Sequence, residues 1–163
     1  MDIKKLETSD AQNFINFMKQ VVEETDFLPP TSDEIHTDLP EQEKFIKSLN
    51  DFKNIFVAYD QGQIVGFIRL SRPKMKKMQH IAHITIGILQ KNRGLGIGSQ
   101  LMKKAYEWIN ALEITRVELT VMLEDNKAIT FYKKRGFVEE GRRHQSVNNN
   151  GVYSDELYLA HLL

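Results

Sequence analysis

Residues 90–102 read QKNRGLGIGSQLM, with glycine at 94, 96 and 98. Glycine loses more backbone freedom on folding than any other residue, so three at alternate positions mark a loop whose shape outweighs its cost. Before it, residues 80–89 (HIAHITIGIL) are rich in β-branched side chains and alternate. Ala82, Ile84, Ile86 and Ile88 share one face; His83, Thr85 and Gly87 share the other. After it, Ile97, Leu101, Met102, Ala105, Trp108, Ile109 and Leu112 recur at helical spacing. A strand feeding through a glycine turn into a long amphipathic helix is the start of a crossover. The next strand, residues 116–122 (RVELTVM), is therefore expected to lie parallel to the first.

The rest of the chain supplies partners for that unit. Residues 54–59 (NIFVAY) and 64–70 (IVGFIRL) flank Gln61-Gly62-Gln63 and predict an antiparallel hairpin. Residues 3–6 read as a short first strand. Ser9 or Asp10 is expected to cap a helix carrying Phe14, Ile15, Phe17, Met18, Val21 and Val22. Residues 26–40 hold three prolines and read as a loop, and a second helix is predicted over 41–49. Asp125 or Asn126 is expected to cap a later helix that stops at Gly136. Two further strands, from Phe137 onward and over 152–159, meet at the turn Asn150-Gly151. The layout is α+β.

Of the 163 residues, 41% are apolar and 27% charged, the balance of an ordinary globular domain. Basic and acidic residues number 22 each, so nothing draws the chain as a whole to nucleic acid or an anionic membrane. The absence of cysteine removes disulfides, thiolate catalysis and thiolate-ligated zinc. No apolar run approaches the ~20 residues of a membrane span. No apolar core follows Met1-Asp2-Ile3-Lys4-Lys5, so no signal peptide is read and a cytoplasmic location is expected.

Amides at a helix start lack intrahelical acceptors, and the helix dipole adds positive potential there. Glycines let an anion approach, so the loop suits a phosphate or pyrophosphate, with Arg93 adding a charge-assisted contact. A P-loop would end in Gly-Lys-Ser/Thr, but Gly98 is followed by Ser99-Gln100. A Rossmann loop would follow the first strand of a βαβ unit and place glycine or a close substitute at 99. A glycine-rich turn with no ligand is the remaining alternative.

The run Arg93-Gly94-Leu95-Gly96-Ile97-Gly98 fits the pattern Arg/Gln-x-x-Gly-x-Gly/Ala. Downstream, an Asn, a short helix, a Tyr and Gly-Phe recur in Asn126-Lys127-Ala128-Ile129-Thr130-Phe131-Tyr132-Lys133-Lys134-Arg135-Gly136-Phe137. In these two blocks, in this order, the chain resembles the GNAT superfamily of acetyl-CoA-dependent N-acetyltransferases, over roughly residues 54–159. The resemblance implies a mixed, mainly antiparallel central sheet of about seven strands with helices on both faces, residues 1–163 forming one domain. It implies acetyl-CoA as co-substrate, with no metal. The CoA diphosphate would rest on the amides of residues 93–99, ending at Ser99. The pantetheine arm would run beside Ile88 and Leu89, where the fourth and fifth strands would have to splay. Asn126 would contact that arm, or act as a plain N-cap. Tyr132 would give the leaving thiolate its proton, or be a packing aromatic.

Many relatives carry a glutamate on the fourth strand where this chain has His80, His83 and Thr85. His83 is then the candidate general base, since imidazole titrates near ~6.5. It otherwise reads as a half-exposed strand histidine, the plainer reading, with the base role falling to a water chain or to Glu118. The stretch from Gln20 to Glu43 holds eight acidic residues and no lysine or arginine, a lid for a cationic amine or a solvated acidic loop. The cluster Arg69, Arg72, Lys74, Lys76 and Lys77 reads as a solvated turn or as a partner for the CoA 3′-phosphate. Arg142 or Arg143 is placed to pair an acceptor carboxylate, or to pair with water or an Asp or Glu of the chain. The expected function is acetylation of a primary amine of a small molecule: an amino acid, polyamine or aminoglycoside. Acetylation of a protein or peptide amine, and acetyl-CoA sensing without turnover, are the alternatives. The terminal strands offer an edge for a homodimer.

Overall fold

The computed structural model describes all residues, Met1–Leu163. Its strands are β1 (Asp2–Lys5), β2 (Lys53–Asp60), β3 (Gln63–Ser71), β4 (Ile81–Ile88), β5 (Arg116–Met122), β6 (Val138–Asn149) and β7 (Val152–Leu162). The helices are α1 (Ala11–Glu23), α2 (Leu39–Lys47), α3 (Ile97–Ala111) and α4 (Asn126–Lys133). The strands form one seven-stranded sheet in the order β1-β2-β3-β4-β5-β7-β6. Every neighbouring pair is antiparallel except β4 and β5, the parallel pair expected across the crossover.

Alternation along β3 separates the helices onto two faces. Phe67 meets the rings of Phe14 and Phe17 on α1, with centroids 6.2 and 5.8 Å away. A side chain at Gly66, one residue earlier, would meet Ile97 of α3 instead. Successive strand residues point to opposite faces, so α1 and α3 sandwich the sheet. Ile68, Leu70, Leu101 and Ile109 are fully buried on the α3 side or within it. Each such side chain contributes about 1.5–3 kcal/mol by leaving water.

Two boundaries depart from expectation for identifiable reasons. The predicted loop over 26–40 ends early, because α2 begins at Leu39 and takes Pro40 into its first turn. A proline there forgoes only an N–H that has no helical acceptor. Asp10 stands at the N-cap of α1 without bonding an α1 amide. Its carboxylate instead accepts from the Glu7 amide at 2.9 Å and the Tyr59 hydroxyl at 2.5 Å, and pairs with Lys4 at 3.1 Å. That cluster fixes the start of α1 to β1 and β2. No helix is long and apolar enough to cross a membrane.

Candidate active site

The sheet opens at its parallel pair. β4 and β5 are in register only over Ile81, Ala82 and His83 opposite Arg116, Val117 and Glu118. Beyond this point β4 stays paired with β3 as far as Ile88, and β5 stays paired with β7 as far as Met122. The Leu89 amide donates to Val65 in the direction of β3. By the strand's alternation, the amides of Ile86 and Ile88 point away from β3 into the gap, where the register gives them no partner.

The glycine loop closes one end of this gap. Gly94 and Gly96 have φ of 77° and 80°, and a side chain at either would meet nothing, so conformation rather than space selects glycine there. The amides from Gly94 through Leu95, Gly96, Ile97 and Gly98 to Ser99 find no backbone acceptor. The expected set began one residue too early, because the Arg93 amide closes a short turn onto the Gln90 carbonyl. The Arg93 Nε donates to the Ile88 carbonyl at 3.0 Å, tying the loop back to the end of β4. Leu89 is buried with its amide engaged, so it offers the gap no donor.

Gly98 serves a different purpose. A methyl group on it would lie 3.0 Å from the Phe131 ring, so α4 seats itself against the first turn of α3. Asp125 is the N-cap of α4, accepting from the Ala128 amide at 3.1 Å. Asn126 therefore is not the cap; it lies exposed in the first turn, outside the cavity described next. Tyr132 is 7% exposed and sits edge-on to Phe131 and Phe137. No group in the protein hydrogen-bonds its hydroxyl. Burial first, and the nearby Asp125 charge second, push its pKa well above the usual phenol value, against the opposing Arg135 charge.

Tyr132 and His83 line one cavity of about 460 Å³ at the mouth of the gap, together with Thr85, Ile86, Thr120 and Glu156. Burial lowers the His83 pKa, and the Arg69 charge lowers it further, while Glu118 and Glu156 pull the other way. His83 is therefore neutral near pH 7. Glu118 is held by Arg116 at 2.9 Å and stands outside the cavity, which removes it as a free base. A second cavity of about 350 Å³ lies between α1, α2 and the sheet, and Lys53 and Arg69 line both.

Several charged residues decide between alternatives that the sequence left open. Arg142 and Arg143 are paired with Asp155 at 2.6 Å and Glu156 at 3.1 Å, so neither is open to an acceptor. Arg69 belongs to β3 rather than to a solvated turn. Much of the acidic lid is engaged locally: Glu34 accepts from the Thr31 amide and hydroxyl, and Asp38 caps α2. Glu24 accepts from the Gln90 amide at 2.6 Å, joining the end of α1 to the glycine loop. Arg135 was not singled out by the sequence. It stacks on Phe131 at 3.5 Å and donates to the Ser99 hydroxyl at 2.5 Å, which brings a guanidinium to the loop. No three His, Cys, Asp or Glu side chains are grouped to hold a metal ion.

A profile of the family described as acetyltransferase (GNAT) family matches residues 19–137. The L-amino acid N-acetyltransferase AaaT of Escherichia coli is 33% identical over 105 residues, 64% of this chain and 65% of that protein. The spermidine N(1)-acetyltransferase of Vibrio cholerae is 28% identical over 117 residues, 70% of this chain and 66% of that protein. The matched stretch thus spans just under two thirds of these relatives' length. The crystal structure of a GNAT-family acetyltransferase from Streptococcus pneumoniae superposes with a TM-score of 0.93 at 30% identity, covering 99% of each chain.

Proposed function

The chain belongs to the GNAT acetyltransferase family, and on that premise we propose that it moves the acetyl group of acetyl-CoA to a primary amine of a small molecule, by direct attack in a ternary complex. The amides of residues 94–99, at the positive end of α3, suit the CoA diphosphate. The gap-facing amides of Ile86 and Ile88 suit the amide-bearing pantetheine arm, which would run along β4 as an added strand. The same donors stabilise negative charge on the thioester oxygen as the amine attacks.

The amine nitrogen forms its bond to the acyl carbon as the carbon–sulfur bond breaks. The proton lost from the nitrogen goes to neutral His83, or through it to water. The thiolate, whose acid form has a pKa near ~8.5, takes a proton from Tyr132. A phenol held protonated by its surroundings carries its proton at neutral pH, and the tyrosinate left by the transfer regains one from solvent or from protonated His83. No enzyme-bound acyl group is needed, in keeping with a chain that has no cysteine.

The observation that carries this reading is the hydroxyl of the largely buried Tyr132, unpartnered within the protein and in the same cavity as His83, at the mouth of a gap lined by free amides. A cavity of about 460 Å³ fits a small acceptor better than a folded protein surface. The test is thiol release from acetyl-CoA with a panel of amino acids, polyamines and aminoglycosides. Turnover with at least one class is expected; binding of acetyl-CoA without turnover across the panel would replace the enzyme reading with a sensing one.

A further inference from the structure

We propose that Arg69 receives the carboxylate of the acceptor, and that the amine acetylated by this chain is an amino acid with an apolar side chain. This rests on the acetyltransferase reading above and narrows its acceptor.

Arg69 is the one arginine of seven without a hydrogen-bonded partner. Arg72 donates to the Gln79 carbonyl, Arg93 to that of Ile88 and Arg135 to that of Phe131. Arg116, Arg142 and Arg143 are each paired with carboxylates. A guanidinium carries five donors in a fixed fork and stays charged; the Arg69 side chain is exposed at the cavities it lines, so its fork is open to a bidentate anion. No carboxylate perturbs Arg69 or lies within ion-pair distance of it.

The carboxylates that share its cavities are mostly committed. Glu156 is held by Arg143 at 3.1 Å, Asp125 caps α4, and Glu34 is bonded to Thr31. Glu41 remains free, and it is not within ion-pair distance of Arg69. The anion that completes the site therefore comes from outside the chain.

Position decides what that anion is attached to. Arg69 is the register partner of Thr85 and shares its sheet face with Ser71 and His83. β4 borders the gap where the thioester would lie. A carboxylate held on Arg69 thus leaves an amine one carbon away beside His83 and the mouth of the gap. The rest of such a molecule faces the cavity of about 350 Å³, which Arg69 also lines, with Phe14, Ile15, Met18, Ile35 and Phe45 as its apolar wall. Charge on one side and hydrocarbon on the other match an α-amino acid with an aliphatic or aromatic side chain. A polyamine would put a cation against Arg69 and Lys53.

The test compares L-leucine, L-leucinamide, isoamylamine and spermidine as acceptors, by thiol release at saturating acetyl-CoA. For the unaltered protein, kcat/KM for L-leucine is expected to exceed that for L-leucinamide by about 100-fold, the scale of a lost charge-assisted pair. In Arg69→Gln that ratio collapses to within a few-fold, and Arg69→Lys restores part of it. Calorimetry supplies a readout that needs no turnover. N-acetyl-L-leucine should bind the CoA-loaded protein more tightly than N-acetyl-L-leucinamide, and Arg69→Gln should erase the difference while still binding CoA. Preference for spermidine or L-leucinamide, or a preference for L-leucine that survives Arg69→Gln, overturns the proposal and leaves the acetyltransferase reading standing. Silence with all four amines counts against that reading, and equal calorimetric affinity for the two acetylated probes then overturns the carboxylate site as well.

Discussion

The Tyr132 hydroxyl reaches the cavity with no hydrogen-bond partner in the protein, although the residue is largely buried. Its retention in a reactive-looking cavity makes sense if the partner is the departing sulfur. Tyr132→Phe should lower kcat about 100-fold near pH 7, the size of a lost proton donor. The loss should shrink above the ~8.5 thiol pKa, where the leaving group no longer needs a proton; a pH series of both proteins measures it. His83 gives an independent check. An NMR titration of its ring should place its pKa below the ordinary 6.5. Arg69→Gln should move it up, because a repelling positive charge is removed, and Glu118→Gln should move it down. Tyr132 was legible in the sequence because it sits in a motif of fixed spacing ahead of Gly136-Phe137. Arg69 was not. Among Arg72, Lys74, Lys76 and Lys77 it reads as one more surface charge, and only the pairing of β3 with β4 shows that this exposed side chain stands across from Thr85 beside the cavities.

At the scale of elements, the contact between α3 and α4 sets the site. Phe131 reaches the first turn of α3 only because residue 98 has no side chain, and Phe131 in turn carries Arg135 on its face and neighbours Tyr132. Gly98→Ala should therefore cost about 1–3 kcal/mol in chemical denaturation, the usual penalty of overpacking. It should also weaken acetyl-CoA binding in calorimetry, since α4 cannot shift without moving Arg135 off Ser99. The elements themselves were readable, because β4 and α3 differ cleanly in hydrophobic period and Asp125 supplies an acidic cap. What periodicity could not give was register. That β4 meets β5 for three residues and then parts is a property of two strands far apart in sequence, and it followed only from the family resemblance. The fate of the acidic stretch was equally hidden. Thr31 and Gln90 supply donors to Glu34 and Glu24 across turns and long loops that no local pattern reveals.

Across the whole molecule, a half-sheet of β1 to β4 and a half-sheet of β5 to β7 are joined by few hydrogen bonds along one short seam. α3 braces one half, and Glu24 ties the end of α1 to the loop at the head of the seam. A chain built this way is an unfinished β-structure, and whatever lies down in the seam becomes part of its architecture. Such a guest should behave as a folding cofactor as much as a reactant. At a concentration of 100 times Kd it would add about 2.7 kcal/mol to the native state. For a chain of this length that raises Tm by roughly 5–11 °C. Melting curves recorded against rising acetyl-CoA, with no acceptor present, should climb by that amount, so heat resistance alone would report occupancy of the seam.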